Sequence, residues 1–129
     1  MTSKHMELLA GLFTELQKVI SKNPIVIVEG IKDKEALKQL GFTNILVLHG
    51  TTFYKKIEKI SFIAKKYKKE VIILTDLDKK GKQFYSAIKK ELIREGIRVN
   101  DKLRQILMKE KISHVEGLPT FMEHIRSNL

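Results

Sequence analysis

The segment Val71-Ile72-Ile73-Leu74-Thr75-Asp76-Leu77-Asp78 passes from unbroken apolar character to two carboxylates within a few residues. Its first half is rich in β-branched side chains and too short for a helix, so it reads as a strand over 71–75. Apolar residues at every position, rather than at alternate ones, mark a strand covered on both faces, as in a parallel sheet. Ile25-Val26-Ile27-Val28-Glu29 repeats the pattern and also ends on a carboxylate, giving a strand over 25–29. Ile45-Leu46-Val47-Leu48 is a third apolar run and a third strand.

Helical periods separate these runs. Leu9, Phe13, Leu16 and Ile20 recur at four- and three-residue steps, which predicts an amphipathic helix over roughly the first twenty residues. Asn23-Pro24 stops it, because proline cannot continue a helix and pushes its predecessor toward extended geometry. Asp33 suits the N-cap of a short helix carrying Ala36, Leu37 and Leu40, and Gly41 is its natural stop. Phe53, Ile57, Ile60, Ala64 and Tyr67 stripe a longer helix whose other face holds Lys55, Lys56, Lys59, Lys65, Lys66 and Lys69. Phe84, Ala87, Ile88 and Leu92 stripe the next, closed by Gly96. Ile97-Arg98-Val99 reads as a short edge strand, Leu103, Ile106 and Leu107 as a helix, and Pro119 as the opening of a last helix with Phe121, Met122 and Ile125. The alternation predicts an α/β fold, a mostly parallel central sheet with helices on both faces and an extra N-terminal helix. Residues 1–22 would pack on, or extend from, a domain of residues 23–129, and that helix is a candidate contact for an oligomer or protein partner.

Composition narrows the class. A chain of 129 residues with 43% hydrophobic and 31% charged content is long enough to bury one real core and is not a disordered composition. No apolar run reaches the roughly 20 residues of a membrane-spanning helix, and no export-type leader is visible at the N-terminus. The absence of cysteine excludes disulfides and thiolate metal sites and fits a reducing compartment, so a cytoplasmic location is expected. Twenty-five Lys and Arg against fifteen Asp and Glu leave a formal charge of +10, which attracts polyanions and makes such binding salt-dependent. A lysine-rich solvated surface has the same composition, so charge alone does not identify a nucleic-acid partner.

The chemistry-bearing residues follow strand ends. In a parallel α/β sheet ligands gather outside the carboxyl ends of the strands, so Glu29, His49-Gly50-Thr51 and Asp76/Asp78 are expected on one rim. Residues i and i+2 of an extended segment face the same side, which lets Asp76 and Asp78 serve one site. Paired carboxylates repel unless a cation offsets them, and oxygen donors suit Mg²⁺, with Mn²⁺ as a substitute. Asp78 equally suits an N-cap for a helix starting near Lys80, and a bare Asp-x-Asp divides evenly between turn and site. Glu29 on a second strand favours the site. Gly50-Thr51 before a long helix could bind phosphate through free backbone N–H groups, or simply start that helix. His49 and His114 are further candidates, although an isolated histidine is more often packed or solvated. Nothing in the sequence places Glu116 on the same rim.

Three of these segments resemble the Toprim domain shared by topoisomerases, bacterial-type primases, overcoming-lesion nucleases and the ribonuclease that matures 5S ribosomal RNA. Val28-Glu29-Gly30-Ile31-Lys32-Asp33-Lys34-Glu35-Ala36-Leu37 is similar to its first motif, Leu48-His49-Gly50-Thr51 to the glycine turn after its second strand, and Thr75-Asp76-Leu77-Asp78-Lys79-Lys80-Gly81-Lys82 to its Asp-x-Asp-x-x-Gly motif. The likeness spans residues 25–95 and is strongest to small, stand-alone archaeal members, with which His114-Val115-Glu116-Gly117-Leu118-Pro119 also shares a segment. The resemblance implies that Glu29 is the general acid/base and a metal ligand, and that Asp76 and Asp78 coordinate Mg²⁺. It implies that Gly30 and Gly81 admit phosphate or make tight turns, and that Asp33 belongs to the first motif. Lys32, Lys79, Lys80 and Lys82 flank the acidic rim and are candidates for holding a nucleic-acid backbone. The chain is too short for a topoisomerase's tyrosine domain and, without cysteine, lacks a primase zinc module.

The resulting expectation is a Mg²⁺-dependent Toprim protein acting on RNA or DNA phosphodiesters as a nuclease or processing factor. The alternative is a non-catalytic RNA- or DNA-binding accessory module that keeps the metal site. A phosphotransfer enzyme on a small molecule draws no particular support from the +10 charge.

Overall fold

The computed structural model describes residues 3–48, 53–112 and 114–127. Strands β1 (Ile25–Val28), β2 (Asn44–Val47) and β3 (Val71–Ile73) form a parallel sheet in the order β2-β1-β3. Ile25 sits opposite both Asn44 and Val71, and Val28 opposite Val47. Side chains alternate across this sheet, and both faces are covered. Val26, Val28, Ile72 and Leu74 enter one core, and Ile25, Ile27, Val71 and Ile73 enter the other. That double burial is why the strands read as continuous apolar runs.

Helix α1 (Ser3–Ser21), α2 (Ile31–Leu40), α5 (Lys102–Lys109) and α6 (Leu118–Ser127) supply the first core, through Leu12, Leu16, Leu37, Leu103, Leu107 and Leu118. The second core is closed by α3 (Phe53–Tyr67), with Ile57, Ile60 and Ala64, and by α4 (Lys79–Arg94), with Ile88 and Leu92. A 3-10 turn at Val115–Gly117 leads into α6. No helix among the described residues is long and apolar enough to cross a membrane.

Several local expectations need correction. Helix α1 buries Leu12, Leu16 and Val19, not a stripe through Phe13, which is exposed. Glu15 lies buried on the same face beside α5, its Oε2 3.5 Å from Lys102 Nζ. Tyr67, expected on the core face of α3, is also exposed. Gly30 is the N-cap of α2, and Asp33 is the third helical residue, its carboxylate accepting from the Gly30 N–H. The Ile97-Arg98-Val99 segment makes only an isolated parallel bridge from Val99 to Val71. Asn100 then turns the chain into α5 by accepting the Lys102 N–H with its side chain. Gly41 does end α2, at φ 111°, a left-handed conformation that glycine adopts without strain.

Candidate metal centre in an acidic cleft

The exit of β3 is the most constrained piece of backbone at the rim. Asp78 is the N-cap of α4, and its Oδ1 accepts the Gly81 N–H at 2.7 Å. Thr75, buried, donates its hydroxyl to the Gly81 carbonyl at 2.7 Å, so the loop is stitched to the first turn of α4 twice. A Cβ on Gly81 would stand 1.8 Å from the Asp76 carbonyl oxygen. The glycine is there to let helix and loop backbones touch. From below, the buried Arg104 of α5 donates Nη1 to the Thr75 carbonyl at 2.7 Å and to that of Ile73 at 3.3 Å, and Nη2 to that of Asp76 at 3.2 Å. Its guanidinium carbon lies 4.4 Å from the centroid of the Tyr85 ring, whose hydroxyl accepts from Lys89, itself paired with Asp101. Burial pulls the Arg104 guanidinium below its ordinary range, against the opposing pull of Tyr85, Asp101, Glu29 and Asp76.

Arg104 did not emerge from the sequence reading. The available signal was its place directly after Leu103 and three before Leu107, on a helical face that is otherwise apolar. A charge there must find several acceptors.

So held, Asp76 and Asp78 meet His114, which lies just before the 3-10 turn. One ligand atom from each lies within 4.8 Å of the others. Asp76 is half-buried, whereas Asp78 and His114 are exposed. His114 Nδ1 is 3.2 Å from Asp76 Oδ2. That hydrogen bond and the charge of Asp76, helped by Asp78 and Glu116, hold the His114 pKa above its ordinary 6.5. This group is capable of coordinating a divalent metal ion, and the imidazole adds a nitrogen to the all-oxygen set expected from sequence.

Glu29 is not among those three, but it lines the same cleft of about 900 Å³. Its Oε1 is buried with no hydrogen-bond partner among the described residues. Desolvation first, then the negative charge of Asp76, Asp78 and Asp33, pushes its carboxyl pKa above 4.5, against a lowering hydrogen bond from the Asp76 backbone. Asp33 is likewise raised by burial and by Asp76 and Glu116, against the Gly30 hydrogen bond and His114. An orphaned carboxylate oxygen facing clustered carboxylates is the arrangement a bound cation would relieve, so the residues fit such an ion.

Of the other sequence candidates, Gly30, Lys32, Asp33 and Lys80 line this cleft with Glu29 and Asp76. Gly30 has extended backbone (φ −137°), and its Cβ position lies 3.7 Å from the nearest heavy atom, Asp33 Oδ2. Lys79 and Lys82 lie exposed on the first turn of α4 outside the lining. His49, Gly50 and Thr51 lie outside the described residues. Glu116, which the sequence left off the rim, lines the cleft beside His114, because the 3-10 turn packs against α2.

The fold and the cleft define a parallel α/β protein with, at the carboxyl ends of its strands, an acidic group capable of holding a divalent metal ion. The model of the Toprim domain matches residues 24–114, and the chain belongs to the Toprim family. It is 30% identical over 127 residues to a UPF0292 protein of Methanocaldococcus jannaschii, covering 98% of this chain and 96% of that one. A UPF0292 protein of Methanosarcina acetivorans is 32% identical over 132 residues, covering 96% and 86% respectively. Among solved structures, a protein from Aquifex aeolicus superposes with a TM-score of 0.70 at 29% identity, over 84% of this chain and 95% of that chain.

Proposed function

We propose that the protein is a Mg²⁺-dependent enzyme acting on RNA or DNA phosphodiesters, a nuclease or nucleic-acid processing factor of the cytoplasm. The observation that carries this reading is the buried Oε1 of Glu29, without a hydrogen-bond partner among the described residues, in the cleft that also holds Asp76. A carboxyl whose pKa is raised by burial and neighbouring charge holds its proton more readily than a free one, as a general acid requires. Asp76, Asp78 and His114, with Glu29 beside them, would hold Mg²⁺ or Mn²⁺, which offsets negative charge on a phosphodiester when bound. Glu29 would carry the proton of the attacking or leaving oxygen. Lys32 and Lys80, on the two sides of the cleft, would orient the phosphate backbone. Residues 23–129 would constitute the Toprim domain, with the helix of residues 1–22 packed on it.

The test is a panel of single-stranded, double-stranded and structured RNA and DNA, incubated with Mg²⁺ or Mn²⁺. Cleavage by the wild type and its loss in Glu29→Gln and Asp76→Asn support the reading. Full activity in both variants overturns it. Salt-sensitive binding without turnover on any substrate would mark the protein as an accessory module that keeps the metal site.

A further inference from the structure

The acidic cleft leaves most of the lysine face of α3 unused. Ile57, Ile60, Ser61 and Ala64 turn inward, so the helical period turns Lys59, Phe62 and Lys66 to solvent. Phe62 is 67% exposed and Tyr67 59%. Lys66 Nζ lies 6.0 Å from the centroid of the first ring and 5.5 Å from that of the second, one ammonium shared by two exposed rings. Beside them Lys59, Ile63, Tyr67 and Lys69 wall a groove of about 520 Å³ whose other side is the free edge of β2 from Asn44 to Leu46. No acidic residue lines it among the described residues.

A separate hollow of about 370 Å³ lies across the β2 edge, lined by Val47, Lys56, Lys34, Lys38 and Glu35. It shares Ile31 and Lys56 with the acidic cleft. Lysines thus border the β2 edge on both sides, over about 16 Å of α3 from residue 67 to residue 56, a basic track whose Lys56 end also lines the acidic cleft.

The occupant can be argued from this lining. A second copy of a chain with charge +10 would bring lysines onto lysines. A phosphate backbone neutralises them, and exposed aromatic faces accept unpaired bases by stacking, which is sequence-tolerant. A duplex hides those base faces. We infer that the track binds single-stranded nucleic acid, its bases stacked on Phe62 and Tyr67, its phosphates at Lys59, Lys66 and Lys69, and its chain led along β2 into the acidic cleft. The inference rests on the nucleic-acid reading of that cleft but concerns a separate surface.

Fluorescence anisotropy with a labelled, unstructured single-stranded RNA, the corresponding DNA, and a duplex of the same sequence tests it. Phe62→Ala/Tyr67→Ala should weaken single-strand binding by about tenfold or more while leaving duplex affinity and the metal response of the cleft unchanged. Lys59→Gln/Lys66→Gln should lower the slope of log K against log salt by about 1.4 for the single strand. Wild-type affinity in both double variants overturns the track and leaves the cleft's function standing. A wild-type dimer in light scattering that Tyr67→Ala converts to monomer also overturns it, by making this face a self-interface. Failure of the wild type to bind any of the three probes at low salt removes the track together with the nucleic-acid reading.

Discussion

Gly81→Ala separates helix propensity from packing by its sign. Gly81 is the third residue of α4, where alanine is intrinsically favoured over glycine by about 1 kcal/mol. The structure demands the opposite outcome. The new methyl would lie 1.8 Å from the Asp76 carbonyl oxygen and 2.4 Å from its carbon, atoms of a backbone that no rotamer change can move aside. Relief requires α4 to back away from the loop. That movement stretches both the Asp78 cap and the Thr75 hydroxyl bond, each now 2.7 Å. Overpacking costs about 1–3 kcal/mol, and a lost cap and a lost hydrogen bond about 1 kcal/mol each. Set against the propensity gain, the net is a loss of roughly 2–4 kcal/mol, or roughly 10 °C in Tm. Urea denaturation followed by circular dichroism measures it. The same displacement moves Asp76 relative to Asp78 and His114, so divalent-cation affinity should fall in parallel. A variant as stable as the wild type, with unaltered cation binding, would refute the claim that Gly81 sets the geometry of the rim.

Other perturbations have equally definite outcomes. Arg104→Met keeps the bulk of the side chain but strands the acceptors at Ile73, Thr75 and Asp76, and should cost about 3 kcal/mol in urea denaturation; a change under about 0.5 kcal/mol would show that the guanidinium does not hold the loop. Glu29→Gln removes a carboxylate whose charge burial and its neighbours disfavour, so thermal melts of the metal-free protein at neutral pH should rise even as activity is lost; a lowered Tm would contradict the assigned repulsion. The raised pKa of His114 means that its protonated pairing with Asp76 stabilises the fold below about 6.5 and is lost as pH rises through the higher folded value. The raised pKa of Glu29 acts in the same direction, since the folded state holds its proton more tightly above 4.5 and stability falls as pH climbs through that window. Stability of the metal-free protein should therefore decline with rising pH through this window while cation affinity increases with proton release, as calorimetry in two buffers would record; a pH-independent affinity would exclude both groups from the site.

The sheet was legible because the physics that makes it is local. Continuous β-branched runs at Ile25 and Val71 specify strands buried on both faces, and alternate side chains do enter two separate cores. Asp76-Leu77-Asp78 was legible as a strand exit, and Asp78 performs as the helix cap that its residue type suggests. What the sequence did not disclose depends on which elements pack together. Glu116 reaches the cleft only because the turn before α6 lies against α2. Helix α1 buries Leu12 and Val19 rather than Phe13 because it packs against α5, a contact that its own period does not disclose. Arg104 looks like one more surface charge until β3 and the loop at its exit supply the carbonyls of Ile73, Thr75 and Asp76. The Toprim motifs marked Glu29, Asp76 and Asp78 without indicating that His114 would join the two aspartates.

Uptake of a divalent cation by Asp76, Asp78 and His114 is the property on which every role assigned to the cleft depends. Mn²⁺ titration monitored by electron paramagnetic resonance, on the wild type and on Asp76→Asn/Asp78→Asn, measures that without assuming a substrate. The expected result is saturable binding by the wild type that the double variant loses and His114→Ala weakens. Equal binding by the wild type and the double variant would contradict it.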